Sequence, residues 1–278
     1  MSNVIVVASE KGGVAKTTTA LSLGGALVET GQEVLMIDLD PQASLTLSLG
    51  IPPHTVRRSV ADVLINSVSP VSVSRETIIP GLDLVPSNSE MELAERFLPV
   101  RRDYTKILRD IIRDIQLYDT IIIDCPPSLG LLSLNAMAAA DEVLLPLQPH
   151  FLALHGLSKL LETIELSAEH INPRLRLLGV AICLYEAGTR LAAEVGRDVE
   201  AFFAEAGGHP SWKDARVFQT RIRRNIRLAE APSFGQSIFE YAHDSNGASD
   251  YHSLASEVDA AVLPSRQGEP GEINKMAA

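Results

Sequence analysis

The run SEKGGVAKTT, residues 9–18, follows directly on an apolar stretch, VIVVA at 4–8, and leads directly into a helix-forming segment beginning near Thr17. Few local arrangements constrain a fold more. A strand that ends in a glycine-rich turn and opens a helix aims several backbone N–H groups and the positive end of the helix dipole at one point, where an anion is held. The usual phosphate loop reads G-x-x-x-x-G-K-[ST]. Counted back from Lys16, its two glycine positions here hold Glu10 and Ala15, while Gly12, Gly13 and a second lysine, Lys11, lie between them. The essential groups survive that departure. Lys16 can reach β/γ-phosphates, and the Thr17 hydroxyl can ligate Mg²⁺. A plain glycine turn before an ordinary helix explains less, because strand, Gly-Gly, Lys-Thr-Thr and helix all coincide.

Further apolar runs recur at 34–38 (VLMID), 82–85 (LDLV), 120–124 (TIIID), 143–147 (VLLPL) and 177–183 (LLGVAIC). They lack polar alternation, as strands buried on both faces of a parallel sheet do. Helices are expected between them, over about 17–30, 104–117 and 157–168, the first stopping at Gly31 as a C′ residue. The pattern predicts an α/β fold with a doubly wound, mostly parallel sheet and helices on both faces. Residues 1–263 are read as a single domain. The segment 264–278, PSRQGEPGEINKMAA, has few apolar residues and is read as a disordered tail. The segment 206–214, AGGHPSWKD, reads as an exposed loop.

Three carboxylates fall where such a sheet binds ligands, outside the carboxyl ends of its strands. Asp38 and Asp40 follow the second run in MIDLDPQAS, and Asp124 ends the TIIID run. A lone strand-end Asp is commonly a turn former. Three beside a phosphate loop suit Mg²⁺ coordination or the orientation of an attacking water. The two cysteines, Cys125 and Cys183, offer no disulfide framework and no metal-ligand spacing, so a reduced, cytoplasmic chain is expected. No run approaches the ~18 apolar residues that a membrane-spanning helix needs. The net charge of −11 opposes nucleic-acid binding except through a local basic patch.

With these residues in view, KGGVAKTT, MIDLDPQ and IIIDCPP resemble the ParA-type partition ATPases of the deviant Walker-A superfamily, P-loop NTPases whose loop reads K-G-G-x-x-[GA]-K-[ST]. The resemblance extends over about residues 3–262. PSNSEMELAERFL is similar to the family's helix after its third strand. PLQPHFLALHGLSKLL is similar to its P-x-x-x-x-A-L-x-G-L segment, with His155 replacing a usual Glu. RRNIRLAEAPSFGQSI resembles the segment typical of the Soj-like branch.

The resemblance implies ATP and Mg²⁺ as ligands, a homodimer closed by ATP, and slow hydrolysis stimulated by a ParB-like activator or another adaptor. It implies that Lys11 is the signature lysine acting on the partner's nucleotide. Gly12, Gly13, Val14, Ala15, Lys16 and Thr17 would wrap the phosphates, and Thr18 would contact the α-phosphate. Asp40 would position the water, Thr17, Asp38 and Asp124 would serve the metal, and Asn225 would meet the adenine. In the Soj-like branch, arginines matching Arg190 and Arg227 bind DNA without sequence preference. Arg221, Arg223 and Arg224 fall in the same basic run and join that candidate patch; a solvated basic face is its plainer reading. Cytoplasmic, nucleoid-associated positioning of a chromosome origin, plasmid or other cargo is the function implied, with no membrane partner. Three alternatives fit the residues less well. A MinD-like membrane ATPase needs a basic amphipathic helix that residues 264–278 do not spell. A nitrogenase-type iron protein needs cluster cysteines. A small-molecule synthetase needs substrate-binding polar groups that the sequence does not display.

Overall fold

The computed structural model describes residues 2–205 and 208–266. Among the described residues the strands are β1 (Asn3–Val7), β2 (Val34–Asp38), β3 (Arg75–Glu76), β4 (Leu82–Val85), β5 (Thr120–Asp124), β6 (Glu142–Leu147), β7 (Arg176–Tyr185) and β8 (Arg216–Arg223). They form one sheet in the order β3-β4-β2-β5-β1-β6-β7-β8. Every neighbouring pair is parallel except β3–β4.

The absence of polar alternation has a direct structural cause. Along β1, Val4 and Val6 belong to one apolar layer, with Leu35, Ile37, Ile121 and Ile123. Ile5 and Val7 belong to the other, with Val34, Met36 and Ile122. Both faces of the central strands are covered, so their inner positions are apolar without alternation. The helix α1 (Lys16–Glu29) packs on the second layer through Ala20, Leu23 and Leu27, beside Tyr251 and Leu254 of the helix Asn246–Arg266. The helices Leu131–Ala139 and Ala153–His170 cover the first layer. The α1 C-terminus closes as expected: Gly31 has φ +91°, its N–H donates to Val28 O, and Gln32 N–H donates to Leu27 O. That is the paired arrangement that satisfies the last carbonyls of a helix.

Four expectations are corrected. The helix expected over 104–117 contracts to Ile107–Ile112, and that expected over 157–168 starts earlier, as Ala153–His170. Segment 206–214 is not an exposed loop at its centre. Trp212 is buried, its ring stacks on Phe202 at 6.1 Å and its Nε1 donates to Glu165 at 2.6 Å. The helix ending in Arg266 runs through 264–266, the start of the expected tail; the rest of that tail, 267–278, lies outside the described residues.

The sheet edge β8 (RVFQTRIR) was not anticipated. Only Phe218 and Ile222 are buried along it, and its arginines hide the alternation. Where its ladder with β7 slips, carboxylates take over the backbone donors. Glu257 accepts from Gln219 N–H at 2.7 Å and Thr220 N–H at 2.8 Å. Asp250 accepts from Arg223 N–H at 2.9 Å.

Candidate nucleotide site and basic rim

The loop between β1 and α1 turns at Ala15, which holds φ +71° and ψ +32°. This is left-handed backbone, where a side chain costs roughly 1 kcal/mol; glycine usually fills the position. The turn lets α1 start with no side-chain cap. Its first N–H groups are thereby left open toward the loop, the geometry that receives an anion.

Lys16 is buried, and its Nζ donates to the Lys11 carbonyl at 2.9 Å. Burial lowers its pKa, against the pull of Asp124 and Asp40. The Thr17 hydroxyl donates to Asp124 Oδ2 at 2.7 Å. Strand register sets Asp38 level with Asp124 on the neighbouring strand. Burial, and then the proximity of Asp38, raises the Asp124 pKa well above the usual carboxylate range. Asp38 Oδ1 accepts from Asp40 N–H at 3.1 Å. Its Oδ2 accepts from Thr46 N–H at 2.8 Å and Thr46 Oγ1 at 2.7 Å. Burial still pushes its pKa to about 7. Asp40 Oδ1 accepts from Gln42 N–H at 2.9 Å, and its carbonyl accepts from Ser87 Oγ at 2.8 Å.

One atom of this set is left over. Asp124 Oδ1 is buried with no hydrogen-bond partner. An orphaned carboxylate oxygen beside a threonine hydroxyl fits a small hard cation that completes its shell with phosphate and water. Among the described residues no cluster of three or more His, Cys, Asp or Glu could cage a metal unaided. Mg²⁺ asks for no such cage.

Across the loop, Gly12 and Gly13 are exposed, Val14 is buried and Thr18 is half-buried. Lys11 is exposed, and its Nζ lies 2.8 Å from His150 Nε2. Burial, then Lys11, lowers the His150 pKa. Glu10, at the lost glycine position, pairs with Lys159 at 2.7 Å and ties the loop to the helix Ala153–His170. A cavity of about 290 Å³ opens here, lined by Lys11, Leu147, His150, Leu152, His155 and Lys159 among others. The sequence reading missed His150, Lys159 and the purpose of Glu10, because no local pattern joins residues some 140–150 positions apart.

Of the candidate DNA arginines, Arg221 and Arg223 lie on β8 and Arg224 and Arg227 just after it, all four already partnered. Arg223 grips Asp250 with its guanidinium at 2.6–3.1 Å, and Asp250 is buried. Arg221 pairs with Glu200 at 2.6 Å and also donates to the Phe218 carbonyl. Those contacts hold Arg221 and Arg223 to neighbouring parts of the chain. Arg224 and Arg227 are more exposed and pair with Glu186 at 2.8 Å and Glu230 at 3.0 Å. Arg190 is exposed at the first residue of the helix Arg190–Glu205. Asn225 caps the helix Ile226–Glu230, its Oδ1 accepting from Arg227 N–H at 2.9 Å.

A parallel sheet with a Lys-Thr phosphate loop after β1 and carboxylates ending β2 and β5 defines a P-loop nucleotide-binding protein of the α/β class. A family model described as AAA domain, AAA_31, matches residues 2–177. The sporulation initiation inhibitor protein Soj of Bacillus subtilis is 39% identical over 261 residues, covering 94% of this chain and 99% of that protein. The chromosome-partitioning ATPase Soj of Thermus thermophilus is 39% identical, covering 93% and 96%. The chain belongs to the ParA/Soj family of partition ATPases, within the ParA/MinD group. Among solved structures, cobyrinic acid a,c-diamide synthase from Mycobacterium smegmatis, with bound ADP and magnesium, is 36% identical with a TM-score of 0.79, covering 97% of both chains. The septum site-determining protein MinD of Pyrococcus horikoshii, complexed with Mg-ADP, is 26% identical with a TM-score of 0.71, covering 93% and 96%.

Proposed function

We propose that this chain is an ATP-dependent, dimerising partition ATPase that binds DNA without sequence preference and positions a chromosome origin, plasmid or other cargo in the cytoplasm, on the nucleoid, with a ParB-like partner or another adaptor. The observation that carries the reading is the cluster of buried Lys16, Thr17 bonded to Asp124, and the orphaned Asp124 Oδ1 beneath an uncapped helix start.

The roles proposed are those the resemblance implies, and the positions of the groups support them. Loop N–H groups from Gly12 to Thr17 and the Lys16 ammonium hold the β/γ-phosphates, and Thr18 meets the α-phosphate. Thr17 and Asp124, with Asp38 behind them, would hold Mg²⁺, which supplies charge neutralisation of the phosphate oxygens. Asp40 is fixed by its turn and orients the attacking water. Lys11 lies in the open with its Nζ beside His150, and can leave it for a partner's nucleotide. A cation supplied across an interface offsets phosphate charge that would otherwise oppose closure. Asn225 contacts the adenine. Arg190, Arg224 and Arg227 meet DNA phosphates, and the pairs with Glu186 and Glu230 open in exchange. Such exposed pairs are worth at most about 1 kcal/mol. The −11 charge suits a basic activating segment on the adaptor.

Calorimetry with Mg-ATP, light scattering and a gel shift on two unrelated duplexes test the reading together. Nucleotide binding, dimer formation and sequence-blind DNA binding that needs ATP are the expected results. ATP-dependent sedimentation with anionic vesicles and not with DNA would favour a MinD-like reading instead. ATP turnover without dimerisation or DNA binding would favour a small-molecule synthase, as the Mycobacterium smegmatis relative is named.

A further inference from the structure

The helix α2 (Ser44–Ser48) is fastened to the nucleotide site at its middle residue, Thr46. Both the N–H and the hydroxyl of Thr46 donate to Asp38 Oδ2. At its C-terminal end the chain turns through buried Leu49 into Gly50. The segment carrying Asn225 and Arg227 arrives from elsewhere. After the helix Ile226–Glu230 it makes one tight turn, Ala231–Phe234, closed by Gly235.

Gly50 and Gly235 meet backbone against backbone. Their φ angles are +75° and +67°. A Cβ built on Gly235 would lie 2.7 Å from Gly50 Cα and 3.1 Å from Gly50 N; one built on Gly50 would lie 3.3 Å from Gly235 Cα. The first distance is one that real side-chain carbons essentially never show. No side chain intervenes to absorb a displacement, and packed protein transmits small shifts rather than damping them. Beside the contact lies an open groove of about 480 Å³ flanked by exposed Leu47 and Phe234, so this joint is not braced on that side.

We propose that the Gly50–Gly235 contact is a clasp that couples the nucleotide site to the DNA-binding rim, with Gly235 as its positioning residue. Nucleotide engaging the Asp38–Asp40 turn shifts Thr46, α2 moves with it, and the clasp carries that movement into the segment that presents Asn225 and Arg227. The inference rests on the ATP and DNA reading above. It assigns that coupling to one physical joint.

The variant Gly235→Ala tests it, with Gly31→Ala as control. Gly31 has φ +91° and nothing within 4 Å of its would-be Cβ, so the control carries the backbone strain without the clash. Three measurements are made: ATP affinity by calorimetry, DNA affinity by gel shift with and without ATP, and amide exchange over residues 226–235 with and without Mg-ATP. In wild type and Gly31→Ala, ATP should raise DNA affinity about tenfold or more and slow the exchange. Gly235→Ala should bind ATP within about threefold of wild type yet lose most of the DNA response and the slowing. A folded Gly235→Ala that keeps the full wild-type response overturns the clasp. If Gly235→Ala does not fold, Gly50→Ala, with the milder 3.3 Å approach, is judged by the same criteria. If wild type itself shows no ATP-dependent DNA binding, the functional reading has failed. The clasp then stands or falls on amide exchange alone: slowing lost in the variant supports it, and equal slowing in both rejects it.

Discussion

The edge where β1, β2 and β5 end and the rim around β8 are both crowded with charge, and they treat that charge in opposite ways. At the first, polar groups are buried and incompletely satisfied: Lys16 spends its ammonium on a backbone carbonyl, and Asp124 keeps a bare oxygen. At the second, Arg221, Arg223, Arg224 and Arg227 each hold a carboxylate of their own. Unmet polar groups in a dry place are expensive to keep, so they mark a site built for something else to enter. Surface cations with partners are inexpensive to keep and mark, at most, a surface that can exchange them.

The largest effect that would break this contrast belongs to Lys16. Lys16→Ala should weaken ATP binding by at least about a hundredfold, since it removes a buried charge-assisted phosphate contact. Near-normal affinity in calorimetry would leave the buried edge without its meaning. Next is Asp40→Ala, expected to bind ATP and dimerise but to hydrolyse about a hundredfold more slowly, because a water-orienting group matters chiefly in the transition state. A steady-state phosphate assay beside light scattering checks both halves. Lys11→Ala should instead bind ATP and stay monomeric.

Two tests sharpen the other side. Arg223→Ala should cost about 2 kcal/mol of stability, read as a lower denaturant midpoint, because buried Asp250 loses its partner. Arg190→Glu and Arg227→Glu should leave that midpoint unchanged. Each should weaken ATP-dependent DNA binding by about tenfold on any duplex, with a salt slope shallower by about 1 per lost contact per protomer. If Arg223→Ala and Arg227→Glu proved interchangeable in both assays, the division of the arginines would be wrong.

The smallest effect concerns the unliganded edge. Burial raises the pKa of Asp124, and that of Asp38 to about 7. A carboxyl with a raised folded pKa contributes stability below its unfolded pKa and loses it as pH rises through the folded value. The nucleotide-free protein should therefore lose melting temperature as pH rises from about 4, the unfolded value, to about 7, the folded value of Asp38. Asp124→Asn, which keeps an oxygen for Thr17, should melt a few degrees higher than wild type, the gap widening with pH. A wild-type melting curve indifferent to pH would show that the edge carries no such cost.

The buried edge was legible because its parts are local. A loop occupies ten consecutive residues, and each carboxylate closes an apolar run. Burial on both faces leaves a compositional mark that a sequence displays openly. The rim was legible only as a basic run. Its partners Glu186, Glu200 and Asp250 lie on other elements, and nothing near Arg223 announces Asp250. β8 was hidden for the same reason, since three apolar residues in eight, two of them adjacent, do not advertise a strand. The resting place of Lys11 on His150 and the meeting of Gly50 with Gly235 are products of topology alone.

The carboxylates along β8 bear on how this protein keeps to itself when crowded. A sheet edge is a template on which a neighbour's strand can grow, and growth of that kind ends in aggregates. Here Glu257 and Asp250 occupy the N–H groups of Gln219, Thr220 and Arg223. An incoming strand would find those donors taken. Along that stretch of β8 the backbone donors a neighbouring strand would need are therefore closed to it.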